Sequence, residues 1–139
     1  MGVGSLVTAR GSYPFAAQLG VKDEIGIILD FRKDSCLAFY ESLFKSFWLP
    51  TDALRVARES QAAGWPLLQR MRQLLSQSGA SECEFERHGD GYRLSLYIDD
   101  LSEETLAGIR RYLDADLVHF AVHPFGMSKM ILELDFVMG

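Results

Sequence analysis

The stretch that most constrains this chain is ECEFERHGDGYRLSLYID, residues 82–99. Cys83 and Phe85 alternate with Glu82, Glu84 and Glu86, and beyond HGDG, Tyr92, Leu94, Leu96 and Ile98 alternate with Arg93, Ser95 and Tyr97. A period of two is the side-chain repeat of a strand, and a Gly-Asp or Asp-Gly pair between two such runs is a tight hairpin turn. Either choice of turn keeps Phe85 on the face of Leu94 and Leu96, because a slip of two residues preserves the face. The hairpin therefore has an apolar side that needs helices against it. Its other side carries three glutamates and Arg93.

A second hairpin is expected from LVHFAVHP and KMILELDFV near the C-terminus. Val118, Phe120 and Val122 would share a face with Met130, Leu132, Leu134 and Phe136, leaving His119, His123, Glu133 and Asp135 on the other. His119 and His123 are four residues apart, the spacing at which a helix stacks two side chains for one metal ion. Here Val118, Phe120 and Val122 are β-formers at period two, and Pro124 pushes His123 away from helical geometry. On a strand the two imidazoles stand about 13 Å apart along the backbone, at about 3.3 Å per residue. A metal ion reaches its ligands at roughly 2 Å, so no metal pair is expected. What remains is a polar cluster in which His119 lies across from Glu133 with Asp135 beside it, or else an ordinary solvated face.

The other elements follow from the same patterning. Residues 6–10 form a short edge strand, within an N-terminal segment, 1–23, that is otherwise loosely ordered. EIGIILDF at 24–31 is a strand buried on both faces. Asp34 or Ser35 caps a helix with the stripe Leu37, Tyr40, Leu43, Phe44 and Phe47, ended by Pro50. A second helical stretch runs from Thr51 to about Ala63. Gly64, Trp65 and Pro66 interrupt it, and a further helix carries Leu67, Leu68, Met71, Leu74 and Leu75 up to Gly79. Asp100 or Ser102 caps a last helix along Leu106, Ile109 and Leu113. Strand, helices, strand, strand, helix, strand is the β-α-β-β-α-β order of a ferredoxin-like, mostly antiparallel sheet with helices on one face, here with an added C-terminal strand. The expectation is one α+β domain over residues 1–139, and topology alone assigns it no function.

Composition narrows the functional classes. Hydrophobic residues make up 48% and charged residues 24%, a globular balance with no apolar run of bilayer length. The net charge of -5 speaks against a nucleic-acid partner. The charge is uneven: residues 50–79 hold four arginines and two acids, whereas 80–116 hold ten acids and four arginines. Cys36 and Cys83 show no metal-ligand spacing and read as reduced thiols of a soluble, cytoplasmic protein. The start has no secretion signal, and Leu6 stands where a myristoylation motif needs Ser or Thr.

No phosphate-binding, dinucleotide, nucleophile-elbow or zinc-protease motif occurs. Cys36, in the first turn of the expected helix, would gain thiolate character from the dipole but has no base near it in sequence. Trp48 and Trp65, near the break between helices with Phe44 and Phe47, are either core or an interface anchor. The reading is a non-enzymatic acidic protein-binding module, of the inhibitor, immunity-protein or secretion-chaperone-like adaptor kind, with no cofactor. Its partner-binding residues would be Glu82, Glu84, Glu86, Arg93, Asp99, Asp100, Trp48 and Trp65. The alternatives are a ligand-binding regulatory domain acting as a homodimer, and a small enzyme using His119 or Cys36.

Overall fold

The structure, a computed structural model, describes residues 1–138. The described residues form an α+β arrangement of nine strands and three α-helices, with every strand pair among them antiparallel. The backbone divides into two compact units, Met1–Arg72 and Gln73–Gly139, each holding one sheet.

In the first unit β1 (Leu6–Ala9), β2 (Gly26–Phe31), β3 (Ser35–Tyr40), β4 (Lys45–Pro50) and β5 (Leu54–Val56) form a sheet in the order β4-β3-β2-β1-β5. A single turn of helix, α1 (Ala16–Leu19), precedes β2, and α2 (Pro66–Ser78) begins in this unit. One side of the sheet gathers Val7, Ile28, Cys36, Ala38, Tyr40, Leu49 and Leu54 with Ala16 and Val21 into a closed core.

The predicted helix after Asp34 is instead the hairpin of β3 and β4, closed by a turn in which the Phe44 amide donates to the Glu41 carbonyl. Its three- and four-residue apolar spacing is genuine, but it arises because β3 buries both of its faces. Cys36, Ala38 and Tyr40 point one way and Phe39 the other, so a period of two masquerades as 3.6. Aromatic residues at Phe39, Tyr40, Phe47 and Trp48 favour the pleated surface. The predicted helix over 51–63 is likewise replaced by two short 3-10 turns flanking β5. Pairing of Val7 with Val56 and Ala9 with Leu54 claims that segment for the sheet, a tertiary contact overriding local preference. As a result β1 lies between β2 and β5 and is not an edge.

In the second unit β6 (Glu82–His88), β7 (Gly91–Ile98), β8 (Leu117–Phe125) and β9 (Lys129–Phe136) are ordered β6-β7-β9-β8, and α3 (Glu103–Leu113) joins β7 to β8. The Ser102 hydroxyl accepts the Thr105 amide at 3.1 Å and caps α3. Gly89 and Asp90 make the β6–β7 turn, and of the two only Gly89 has a positive φ, 58°, the pattern of a type II′ turn. Leu94, Leu96, Ile98, Leu132, Leu134 and Phe136 are all buried along the apolar face. Leu106 and Arg110 of α3 border a shallow apolar pocket with Leu117 and Phe120 on that same side.

The ferredoxin-like order is therefore not borne out. Two separate sheets form, and β9 inserts between β7 and β8 instead of adding outside them. A β-bulge also adjusts the last hairpin. Leu117, not Val118, stands opposite Phe136, and Val118 is left out of the ladder, 68% exposed.

Candidate functional site

Insertion of β9 beside β7 brings residues of four strands into rows across the polar face of the second sheet. One row runs Glu86, Arg93, Asp135, His119; the next runs Glu84, Ser95, Glu133, Ala121; a third runs Glu82, Tyr97, Ile131, His123. His119 thus stands opposite Asp135 in register, with Glu133 on its diagonal.

Arg93 holds the centre. Its Nε and Nη2 donate to the two carboxylate oxygens of Asp135 at 2.7 and 3.0 Å, a bidentate pair, and Nε lies 3.5 Å from Glu133 Oε1. The Arg93 hydrogen bonds hold the Asp135 carboxyl below its ordinary pKa, against an opposing push from its partial burial. Asp135 in turn raises the guanidinium further.

The chain has three histidines, and all three reach these two carboxylates. His119 Nε2 is 3.6 Å and His123 Nε2 is 3.7 Å from the same oxygen of Glu133. His88 Nε2 lies 3.6 Å from Asp135 Oδ2 and 3.0 Å from Arg93 Nη2. Arginine has no acceptor, so that last contact is a hydrogen bond only when His88 is neutral with its proton on Nδ1.

The ligand atoms of His119, Glu133 and Asp135 lie within 4.8 Å of one another, close enough to close on a cation. The fit is nevertheless poor. Both Asp135 oxygens are occupied by Arg93, whose fixed positive charge sits where an ion would have to approach. The face is centred on the Arg93–Asp135 ion pair, with the three histidines 3.6–3.7 Å from the carboxylates around it.

The remaining sequence-derived candidates are distributed as follows. On the hairpin, Glu84 accepts a hydrogen bond from the Tyr97 hydroxyl at 3.0 Å; burial, and then this bond, raise the Tyr97 pKa. Glu86, Asp99 and Asp100 are exposed, and Glu82 is partly so. The two tryptophans belong to the first unit. Trp48, on β4, lies under the Arg32 guanidinium at 4.0 Å, and Trp65, half-buried, precedes α2. Neither marks a break between helices, since β3 and β4 replace the first of them. Cys36 is in a strand, not a helix turn, and is fully buried. Burial raises its thiol pKa, against a hydrogen bond with Thr51 that lowers it, so the basis for an activated nucleophile is gone. His88 is not among the residues the sequence assigns to the cluster: its contact with Arg93 lies within the β6–β7 hairpin, but its approach to Asp135 requires the β7–β9 pairing.

The edges of the two sheets differ sharply. β4 carries Lys45 and ends at Pro50, and β5 has only three residues. β6 presents Glu82, Glu84, Glu86 and Arg87. Charge, proline and shortness are the usual protections of an exposed edge. β8 is nine residues long, LVHFAVHPF, with no Lys, Arg, Asp or Glu; Pro124 and the bulge at Val118 interrupt its two ends, and the run 119–123 between them carries no such protection. Val118, Phe120, Val122 and Phe125 on it are 68%, 37%, 42% and 47% exposed. Among the described residues no helix is long and apolar enough to cross a membrane.

Compared with protein-family models, with curated proteins and with solved structures, the chain matches none.

Proposed function

We propose that this chain is a non-enzymatic protein-binding module, of the inhibitor, immunity-protein or adaptor kind, and that it takes an extended protein segment along β8. The observation carrying this reading is that β8 is the one long sheet edge among the described residues without a charged side chain, and its apolar residues stand open to solvent. A strand added there gains main-chain hydrogen bonds for affinity. Specificity comes from the side chains beside it, Phe120 and Val122 on one face and His119 and His123 on the other. The acids of β6 and of the turn after β7 add a field that favours a basic approach.

The test is site-specific photo-crosslinking in the native host. A benzophenone side chain at Val118 or Val122 is expected to give a discrete protein adduct, whereas one at Ser46 on β4 gives none. Equal, diffuse labelling at all three positions would refute the reading.

A further inference from the structure

Resting on that reading of β8, we propose that its occupant is a second copy of this chain, paired antiparallel about a two-fold axis through Ala121. The argument is the sequence of the edge itself. In such a pair, residue 121 faces its own counterpart, and each position faces the one equally distant on the other side. Phe120 then faces Val122 of the second copy, and His119 faces its His123, so apolar side chains meet apolar ones and imidazole meets imidazole. Leu117 falls opposite Phe125.

The irregular positions match as well. Val118 is displaced from the ladder by the bulge, and Pro124 has no amide hydrogen to donate. In the Ala121 register these two interruptions lie opposite each other, one at each end of the regular run 119–123.

Charge permits the pairing too. Two chains of net charge -5 repel, but β8 contributes no charged side chain that would face its own like across the axis. The product is one continuous eight-stranded sheet, with β6 of each copy at its outer edges.

The experiment has two parts. Light scattering on the eluting full-length protein is expected to give twice the chain mass, and Val122→Lys to give the single-chain mass with an unchanged far-UV circular dichroism spectrum and a melting temperature that no longer depends on protein concentration. For the register, Ala121→Cys is treated with a mild oxidant. Directly opposed residues have Cα atoms about 4.5–5.5 Å apart, within the disulfide range of about 4.4–6.8 Å, so this variant is expected to link covalently into dimers. His119→Cys, whose counterpart is displaced by four residues, or about 13 Å, is not. Cys36 and Cys83 are buried and do not compete. A single-chain mass at every concentration overturns the proposal, as does a dimer in which Ala121→Cys fails to link. If the protein is monomeric while β8 still yields an adduct with a different protein, the second copy is excluded and the protein-binding reading stands. If neither dimer nor adduct forms, both fall.

Discussion

Removing the Glu41 side chain should loosen the start of α2 by an amount the geometry allows to be worked out. The first amides of a helix have no partner within it. Pro66 is the first residue of α2 and lacks that hydrogen, and Glu41, in the turn between β3 and β4, supplies acceptors for the next two. Its Oε1 accepts the Leu67 amide at 3.2 Å and its Oε2 the Leu68 amide at 3.1 Å. Losing a capping acceptor costs about 0.5–2 kcal/mol, and a negative charge at a helix start adds about 0.3–1 kcal/mol. Two half-buried bonds together with the charge place Glu41→Ala near 2 kcal/mol, roughly 8 °C in Tm or about 1 M in urea midpoint. Glu41→Gln keeps one acceptor and loses the charge, so it should fall about midway. The assay is urea unfolding followed by far-UV circular dichroism, with m compared to confirm that the transition keeps its character. A loss under about 0.5 kcal/mol for Glu41→Ala would show that water replaces the carboxylate without cost and that the cap is incidental.

Three further outcomes are expected. Tyr40 is buried with no hydrogen-bond partner for its hydroxyl among the described residues, and burial pushes its pKa up to about 12 from 10.0. Its folded-state pKa being the higher, it favours the folded state fully below pH 10 and loses that contribution as pH rises through about 12; Tyr40→Phe should flatten this alkaline decline in urea midpoint and gain about 1 kcal/mol at neutral pH. Asp135 behaves in the opposite sense: held low by Arg93, it contributes above the ordinary carboxylate pKa and loses that contribution as pH falls through its own lower value, and Arg93→Gln should return its NMR-monitored carboxyl titration to the ordinary range. Cys36 should resist iodoacetamide in the native protein at neutral pH and label only on unfolding, and rapid native labelling would contradict both its burial and its raised pKa.

The contrast between the two units shows what a sequence exposes. In the second unit each strand buries one face, so alternation is plain along Glu82–His88 and Gly91–Ile98, and the turn glycine is visible as well. In the first unit β2 and β3 bury both faces, alternation disappears, and apolar residues at 37, 40, 43, 44 and 47 mimic a helix stripe. The partners of these strands, such as Val56 for Val7, are far away in sequence, and so is Glu41 as the cap of α2. The polar site was legible only by halves. Each hairpin displayed its own charged face, but the meeting of Arg93 with Asp135 depends on which strand of the last hairpin lies inward, and periodicity carries no information about that. The contrast between HGDG glycines follows the same division: Gly89 is needed for local turn geometry, whereas at Gly91 an added Cβ would strike the Phe136 carbonyl of a strand not yet made.

The acids of β6 have a consequence for how far assembly can proceed. A sheet with two adhesive margins can add copies without end and grow into fibres. With copies paired along β8 as proposed, only β6 edges would remain free, and Glu82, Glu84 and Glu86 would meet their own like wherever two of those edges approached. On that pairing, growth would end after one step, and the same three carboxylates that look like a recognition patch would also act as the stop.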